Sequence, residues 1–193
     1  LTFGSLYSQN PGYAGLLVTY GGQITFNNCT ISKHDITGCA IVGTFMSLAN
    51  LQMNSVSLLD NQVKADSNLP NINTAHVVLY TSNIAANNIS FIGGTTTGAY
   101  LFYTNTVTGN LDNFNIKNFY RLDSGYQSLF YTTSSTWNLR NFTCWNSTGI
   151  FQLIGSQFSL TSAEIGNLTA KYRSQFVSGL SATSINITGL NYY

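Results

Sequence analysis

This sequence contains few charged residues. Only 7 % of its 193 residues are charged, with seven Lys and Arg against six Asp and Glu and a formal net charge of +1. An average soluble domain has roughly 25 % charged residues. So few positive charges exclude nucleic acid as a partner, because nothing would attract a phosphate backbone. Solubility must come from Asn, Thr, Ser and Gly or from groups attached to them, which predicts an extracellular or cell-surface location.

Long apolar runs and cysteines are also scarce. No run approaches the roughly 18 residues of a membrane-spanning helix, so no membrane span is expected. Three cysteines cannot all pair with one another; Cys29 and Cys39 could form a disulfide, and Cys144 lies too far from both. The length and an apolar content of 44 % fit a single domain over residues 1–193. Because no targeting segment precedes Leu1, that domain could also be a segment of a longer chain.

A short motif, Asn followed by an apolar residue and then usually by Ser or Thr, repeats along the chain. Its seven copies, some of them looser, begin at Asn28, Ser55, Asn88, Asn115, Asn141, Glu164 and Asn186. Spacings of 22 to 33 residues are typical of a solenoid. Apolar and polar residues alternate around each copy, as in strands with one buried face, and a further apolar segment lies upstream. We therefore predict an all-β solenoid of about seven coils with three short strands per coil, two of them meeting at the Asn.

The repeated Asn suits a bend between strands. Asn tolerates the left-handed backbone that such a bend requires, and its amide can donate to and accept from a stacked neighbour. The predicted structural ladder comprises Asn28, Asn88, Asn115, Asn141 and Asn186. In these features the chain, from about Tyr13 to Asn191, resembles the right-handed parallel β-helix of the pectin-lyase-like superfamily. The resemblance implies that fold and no particular active site.

Enzymes of that superfamily cleave polysaccharides, and their chemistry needs neighbouring carboxylates or carboxylate-bound calcium with a basic residue. The six acids of this chain are dispersed: Asp35, Asp60, Asp66, Asp112, Asp123 and Glu164. His34 beside Asp35 could be half of a catalytic pair, although a local hydrogen-bonding role is favoured, and neither His34 nor His76 shows metal-ligand spacing. The sequence therefore predicts no enzyme, no metal site and no cofactor.

Three tyrosines share one position in the repeat. Tyr80, Tyr103 and Tyr131 each follow the apolar segment upstream of the motif and precede Thr. This shared position predicts an aromatic stack. If the rings face outward they form a platform for sugar rings, and if they face inward they are a ladder within the core. Both interpretations stay open.

Glycosylation sequons are dense. The six acceptors are Asn28, Asn88, Asn141, Asn146, Asn167 and Asn186. Four of them coincide with the predicted ladder, where the side chains would be bonded to one another. Asn146 and Asn167 lie off the ladder and are expected to be the better acceptors. Dense sequons together with scarce charge favour a secreted glycoprotein.

These features predict an extracellular structural or adhesive β-solenoid glycoprotein that serves as a building block of a filament or surface rod. Neither end shows a cap, so the expected partner is another copy or a flanking segment placed end to end. The alternatives are a carbohydrate-binding β-helix, with glycans as partners, and a polysaccharide lyase or hydrolase. Outward tyrosines beside a groove would favour the first alternative, and an outward cluster of three acids would favour the second.

Overall fold

The computed structural model describes residues 6–7, 15–19, 21–44, 49–67, 74–123, 128–169, 176–181 and 183–193. This part of the chain contains nineteen strands and three sheets, and every strand pairing within the sheets is parallel. No helix among the described residues is long and apolar enough to cross a membrane.

Each sheet collects one kind of strand from successive turns of the chain. The long sheet contains β3 (Gln23–Ser32), β6 (Ala49–Leu59), β9 (Ser82–Ile92), β12 (Thr108–Lys117), β15 (Thr136–Trp145), β17 (Gln157–Gly166) and β19 (Ser184–Tyr192). The medium sheet contains β2 (Gly15–Thr19), β5 (Ala40–Thr44), β8 (Ala75–Tyr80), β11 (Tyr100–Asn105), β14 (Phe130–Thr133), β16 (Phe151–Ile154) and β18 (Val177–Leu180). The short sheet contains β1 (Leu6–Tyr7), β4 (Asp35–Thr37), β7 (Gln62–Lys64), β10 (Thr95–Thr97) and β13 (Tyr120–Arg121).

One medium strand followed by one long strand makes a coil, and seven such coils stack along the axis. The predicted parallel β-helix of about seven coils is therefore confirmed. The division of a coil into strands differs from the prediction, however. The two short strands that were expected to meet at the Asn are one long strand that continues through the bend, and the additional strand of a coil belongs to the short sheet. Beyond β13 the short sheet is followed, among the described residues, by a bridge between Thr148 and Thr169.

A single left-handed residue bends each long strand in the middle. The bends are at Asn28, Ser55, Asn88, Asn113, Asn141, Ser162 and Gly189, with φ between 52° and 69°. Pairing continues on both sides of the bend: Asn27 pairs with Asn54, and Cys29 pairs with Val56. One residue in the left-handed conformation thus turns the chain without ending the strand.

Three ladder residues lie where the motif placed them, and two do not. Asn28, Asn88 and Asn141 occupy bends, whereas Asn115 and Asn186 lie two residues after and three residues before theirs. The slip at Asn115 has a physical reason. Strand side chains alternate with a period of two, so a shift of two residues leaves the inward and outward pattern unchanged and the motif cannot reveal it.

The core is a set of inward-facing columns that run along the axis. One column continues from Ile89 through Phe114 and Phe142 to Ala163, all of them buried. Facing it, the Phe102 and Phe130 rings of the medium sheet stack at 4.6 Å between centroids. Such aromatic stacking adds to the burial of apolar area, which is the main stabilising term of the coil.

Gly109 makes room for the largest side chain in the core. It pairs directly with Trp137 on the next coil, and a Cβ atom at Gly109 would overlap the Trp137 ring. The indole nitrogen donates to Thr132 Oγ1 at 3.0 Å, which holds the ring in place. Leu111, two residues after Gly109, pairs with Leu139 on the same neighbouring strand.

We expect the substitution Gly109→Ala to destabilise the fold by about 1 to 3 kcal/mol, the cost typical of overpacking a filled core. Ala is otherwise better suited to a strand than Gly, so backbone propensity alone would predict that Gly109→Ala stabilises the fold. Denaturant unfolding measures the change. In the background Trp137→Leu, where the ring is absent, the cost of Gly109→Ala should largely disappear. An equal cost in both backgrounds would contradict this packing.

Candidate functional site

An open groove of about 780 Å³ lies over the outer face of the long sheet. It crosses five successive strands, from β6 to β17, on the side before the bend. Its lining comprises Gln52, Asn54, Ala85, Ala86, Asn87, Asn110, Leu111, Asp112, Asn138, Leu139, Arg140, Ser159 and Thr161. Strand alternation explains this lining, because Asn110 and Asp112 point outward from β12 while Leu111 between them belongs to the core.

Two outward columns of polar side chains form most of the groove. The first column runs Gln52, Ala85, Asn110, Asn138, Ser159, and the second runs Asn54, Asn87, Asp112, Arg140, Thr161. Amides in these columns bond along the axis: Asn138 Nδ2 donates to Asn110 Oδ1 at 3.0 Å, and Asn87 Oδ1 accepts from Asn113 Nδ2 at 2.9 Å. An amide has two N–H donors and two acceptor lone pairs, so one ladder bond in each direction leaves a donor and an acceptor for a ligand.

One ion pair lies in the middle of the second column. Arg140 Nη2 is 3.0 Å from Asp112 Oδ2, and Asn141 Nδ2 donates to Asp112 Oδ1 at 3.1 Å. The Arg140 side chain is 69 % exposed and the Asp112 side chain 31 % exposed. Among the described residues that line the groove, these two carry all the charge, and their charges cancel.

The predicted tyrosine stack exists in a changed form. Tyr103 and Tyr131 pair in one column, and their rings stack at 5.4 Å with an interplanar angle of 6°. Tyr80 pairs with Asn105 instead, but its ring still reaches that of Tyr103 at 5.7 Å. Tyr103 is only 9 % exposed. Burial, followed by the neighbouring phenols of Tyr80 and Tyr131, raises the pKa of Tyr103 above its ordinary value.

A fourth tyrosine, which the motif did not predict, completes this cluster on the outer face of the medium sheet. The Tyr100 ring lies 5.2 Å from that of Tyr131, and the Arg121 guanidinium lies 4.8 Å above it. Arg121 also donates to both carboxylate oxygens of Asp123, at 2.7 and 2.9 Å. Burial alone would raise the pKa of Asp123, but this paired guanidinium lowers it. The tyrosine faces are largely occupied by one another, so the cluster is poorly shaped as a sugar platform.

The remaining acids lie apart from the groove. Asp35 pairs with Lys64 at 3.1 Å, Asp60 lies at the turn that ends β6, Asp66 is buried, and Glu164 is exposed beyond the bend of β17. Across the described ranges, no three His, Cys, Asp or Glu side chains lie close enough to hold a metal ion. Cys29, Cys39 and Cys144 are all free thiols, so Cys29 and Cys39 do not form the disulfide that their spacing allowed.

Both histidines are buried beside Asn61. The Asn61 amide oxygen accepts from the backbone N–H of His34 at 3.1 Å, and the Asn61 carbonyl oxygen lies 3.3 Å from His76 Nε2. The His76 ring also meets Phe119 edge to face at 4.9 Å between centroids. This burial gives His34 a local structural role and removes it from any catalytic pair at the surface.

The Asn residues of the sequons fall into two groups, those whose side-chain amides form hydrogen bonds and those whose amides are exposed. Asn141 Nδ2 bonds to Asp112 and Asn113, and Asn88 Nδ2 bonds to Ser55 Oγ at 3.2 Å. Asn146, which lies off the predicted bend ladder, is half-buried and donates to Asn118 Oδ1 at 3.2 Å on the neighbouring coil. The exposed sequon residues without a side-chain hydrogen bond in the described part are Asn28, Asn167 and Asn186.

No protein-family model matches this sequence, and no curated protein matches it either. The solved structures that are similar to this chain include two that are described as hydrolases. One is a proposed glycosyl hydrolase from Parabacteroides merdae ATCC 43184, with 7 % identity, 91 % of this chain and 80 % of that chain covered, and a TM-score of 0.29. The other is an endo-xylogalacturonan hydrolase from Aspergillus tubingensis, with 12 % identity and a TM-score of 0.28. That match covers 86 % of this chain and 61 % of the hydrolase.

This finding corrects two predictions. The chain had been predicted to be a structural or adhesive building block of a filament or rod, and not to be an enzyme. Both are corrected to the alternative given above, since the two similar structures are named as carbohydrate-cleaving proteins and neither name indicates a filament. Spacing in the sequence had shown the acids as dispersed, whereas the coil places Asp112 beside Arg140 in an open groove.

The buried His76 predicts a pH-dependent stability. Burial lowers the pKa of His76 to about 4, although backbone hydrogen bonds with Asn61 and Tyr100 oppose the shift. A folded-state pKa below the unfolded value of about 6.5 means that the unfolded chain takes up a proton first as the pH falls. The free energy of unfolding should therefore keep its highest value above pH 6.5 and fall by about 3 kcal/mol as the pH approaches 4.

Denaturant titrations at several pH values between these limits measure the loss, with His76→Phe as the control. The variant should lose markedly less stability over the same interval, since it has no group to protonate at this position. An identical pH dependence in the two proteins would assign the effect to other groups.

Proposed function

We propose that this chain is a carbohydrate-active β-helix protein that binds an extended polysaccharide in the groove of the long sheet. The observation that carries the proposal is the row of outward amides, hydroxyls and one ion pair that crosses five coils. The resemblance of the fold to pectin-lyase-like β-helices agrees with it.

The chemistry of the lining fits sugar hydroxyls. A hydroxyl group both donates and accepts, and the free N–H and lone pair of each ladder amide supply both partners side by side. Asn110 and Asn138 have this arrangement in one column, and Gln52 and Ser159 extend it at either end. Because stacked strands are roughly 4.8 Å apart, the five coils offer a repeating surface about 19 Å long. A chain of sugars lying along the axis could then meet equivalent groups on successive coils.

Cleavage of the bound chain is a second candidate function, and it is favoured by the carboxylate of Asp112 in the groove lining. Most glycoside hydrolases use two carboxyl groups on either side of the bond, and some let a group of the substrate replace one of them. Asp112 is the one carboxylate among the described lining residues. Carboxylate-based hydrolysis in this groove would therefore depend on Asp112.

Binding should depend on the ladder amides. We expect the double substitution Asn110→Ala and Asn138→Ala to weaken polysaccharide binding about tenfold, because each lost hydrogen bond contributes about 0.5 to 1.5 kcal/mol. Affinity electrophoresis and calorimetry with soluble β-glucan, galactomannan, arabinoxylan and polygalacturonate measure this. Reducing-end assays on the same mixtures, repeated with Asp112→Asn, separate binding from cleavage.

The matched control is Asn115→Ala. Asn115 accepts a hydrogen bond from Thr143 at 2.8 Å on the outer face, but it lies beyond the bend and outside the groove. This variant should bind as the parent does. Equal binding by the double variant and the parent, or no binding of any glycan by the parent, would refute the proposal.

We further propose that the protein acts outside the cell as a glycoprotein, supported by its low charge and its exposed sequons. After expression through a eukaryotic secretory pathway, glycan occupancy should be higher at Asn28, Asn167 and Asn186 than at Asn141 and Asn146. The amides of the latter two would have to give up ladder hydrogen bonds. Glycopeptide mass spectrometry gives the occupancies, and full modification of Asn141 would contradict this order.

A further inference from the structure

We propose that the groove selects neutral polysaccharides, and that Asp112 is the residue that keeps acidic, uronate-containing chains out. This inference deepens the proposed function and rests on it. It concerns the chemical class of the ligand, which follows from the charges that line the groove and from how those charges are paired.

The groove has no positive charge left over for an anion. Its described lining is amide, hydroxyl and apolar apart from Arg140 and Asp112, which lie 3.0 Å apart. A polyuronate carries a carboxylate on every sugar, so a chain that covers five coils would bring several negative charges. Each carboxylate would lose water without gaining a cationic partner, and desolvation of an unpaired charge is costly. A neutral chain pays no such penalty.

Asp112 acts as the built-in counterion of Arg140. Both of its oxygens are engaged, one by Arg140 Nη2 and the other by Asn141 Nδ2, and this holds the carboxylate beside the guanidinium. Arg140 remains 69 % exposed, so its other N–H groups can donate to sugar hydroxyls. The pair thus turns a potential carboxylate-binding Arg into a donor for neutral ligands.

The neighbouring coils indicate how to remove this counterion without harming the fold. The positions equivalent to Asp112 on the two preceding coils are Asn87 and Asn54. Asp112→Asn therefore places in the column a residue that the same column already accommodates. The new amide oxygen can still accept from Asn141, while Arg140 loses its negative partner.

The experiment compares the ratio of affinities for polygalacturonate and for a neutral β-glucan in the parent and in Asp112→Asn. The parent should prefer the neutral chain. The variant should raise the ratio in favour of polygalacturonate by about two- to fivefold, the size typical of an exposed ion pair. This gain should shrink as salt is added, because screening weakens an exposed charge interaction.

Glu164→Gln is the matched control. It removes one negative charge from the outer face of the same sheet, but Glu164 lies beyond the bend and outside the groove lining. Its ratio should equal that of the parent, which separates a local effect of Asp112 from a change in net charge. Arg140→Gln should lower the affinity for polygalacturonate relative to that for β-glucan, since the negative charge of Asp112 would then be left without its cation.

The outcomes are distinct. A parent that binds polygalacturonate as well as or better than β-glucan overturns the inference while leaving glycan binding intact. An unchanged ratio in Asp112→Asn, or an equal change in Glu164→Gln, also overturns it, because the selectivity would not come from Asp112. If the parent binds neither polysaccharide, the proposed function fails and this inference fails with it.

Discussion

The parallel, in-register stacking of coils is the constraint on which the rest of this structure depends. Within the paired strands, each residue lies beside its equivalent on the next coil, at the strand spacing of roughly 4.8 Å. Inward columns are therefore largely apolar, with buried threonines such as Thr104 and Thr132 in the medium sheet, and outward columns must tolerate like neighbours at close range. Local exceptions have to be matched across two coils, as where Gly109 leaves the space that Trp137 fills.

The same constraint accounts for the shortage of charge. A charged residue that recurs in a column would lie beside its own kind on the next coil, and directly paired like charges destabilise a sheet. Asn, Ser and Thr avoid this repulsion and gain hydrogen bonds along the axis, as between Asn138 and Asn110. Two ion pairs of opposite charge join neighbouring coils, Asp112 with Arg140 and Asp35 with Lys64.

The neutral, polar lining of the groove is a consequence of this shortage of charged residues. An outer face built from amide ladders is polar but neutral, and it repeats along the axis with the period of the coils. Such a surface is suited to a ligand that is itself polar, neutral and repetitive. The tyrosine cluster differs, since its rings satisfy one another and Tyr103 is almost fully covered, so its contribution is to the outer packing of the medium sheet.

The kind of fold can be predicted from the sequence, because repeated alternation and a recurring Asn can be counted without knowing any contact. The sequence identified seven coils and the bends at Asn28, Asn88 and Asn141. The register between coils of unequal length depends on contacts between the coils, and for this reason Asn113, and not the expected Asn115, bends the chain. The groove depends on that register. Asp112 and Arg140 are 28 residues apart in the sequence, and they meet because one coil has this length, a distance that no local pattern encodes.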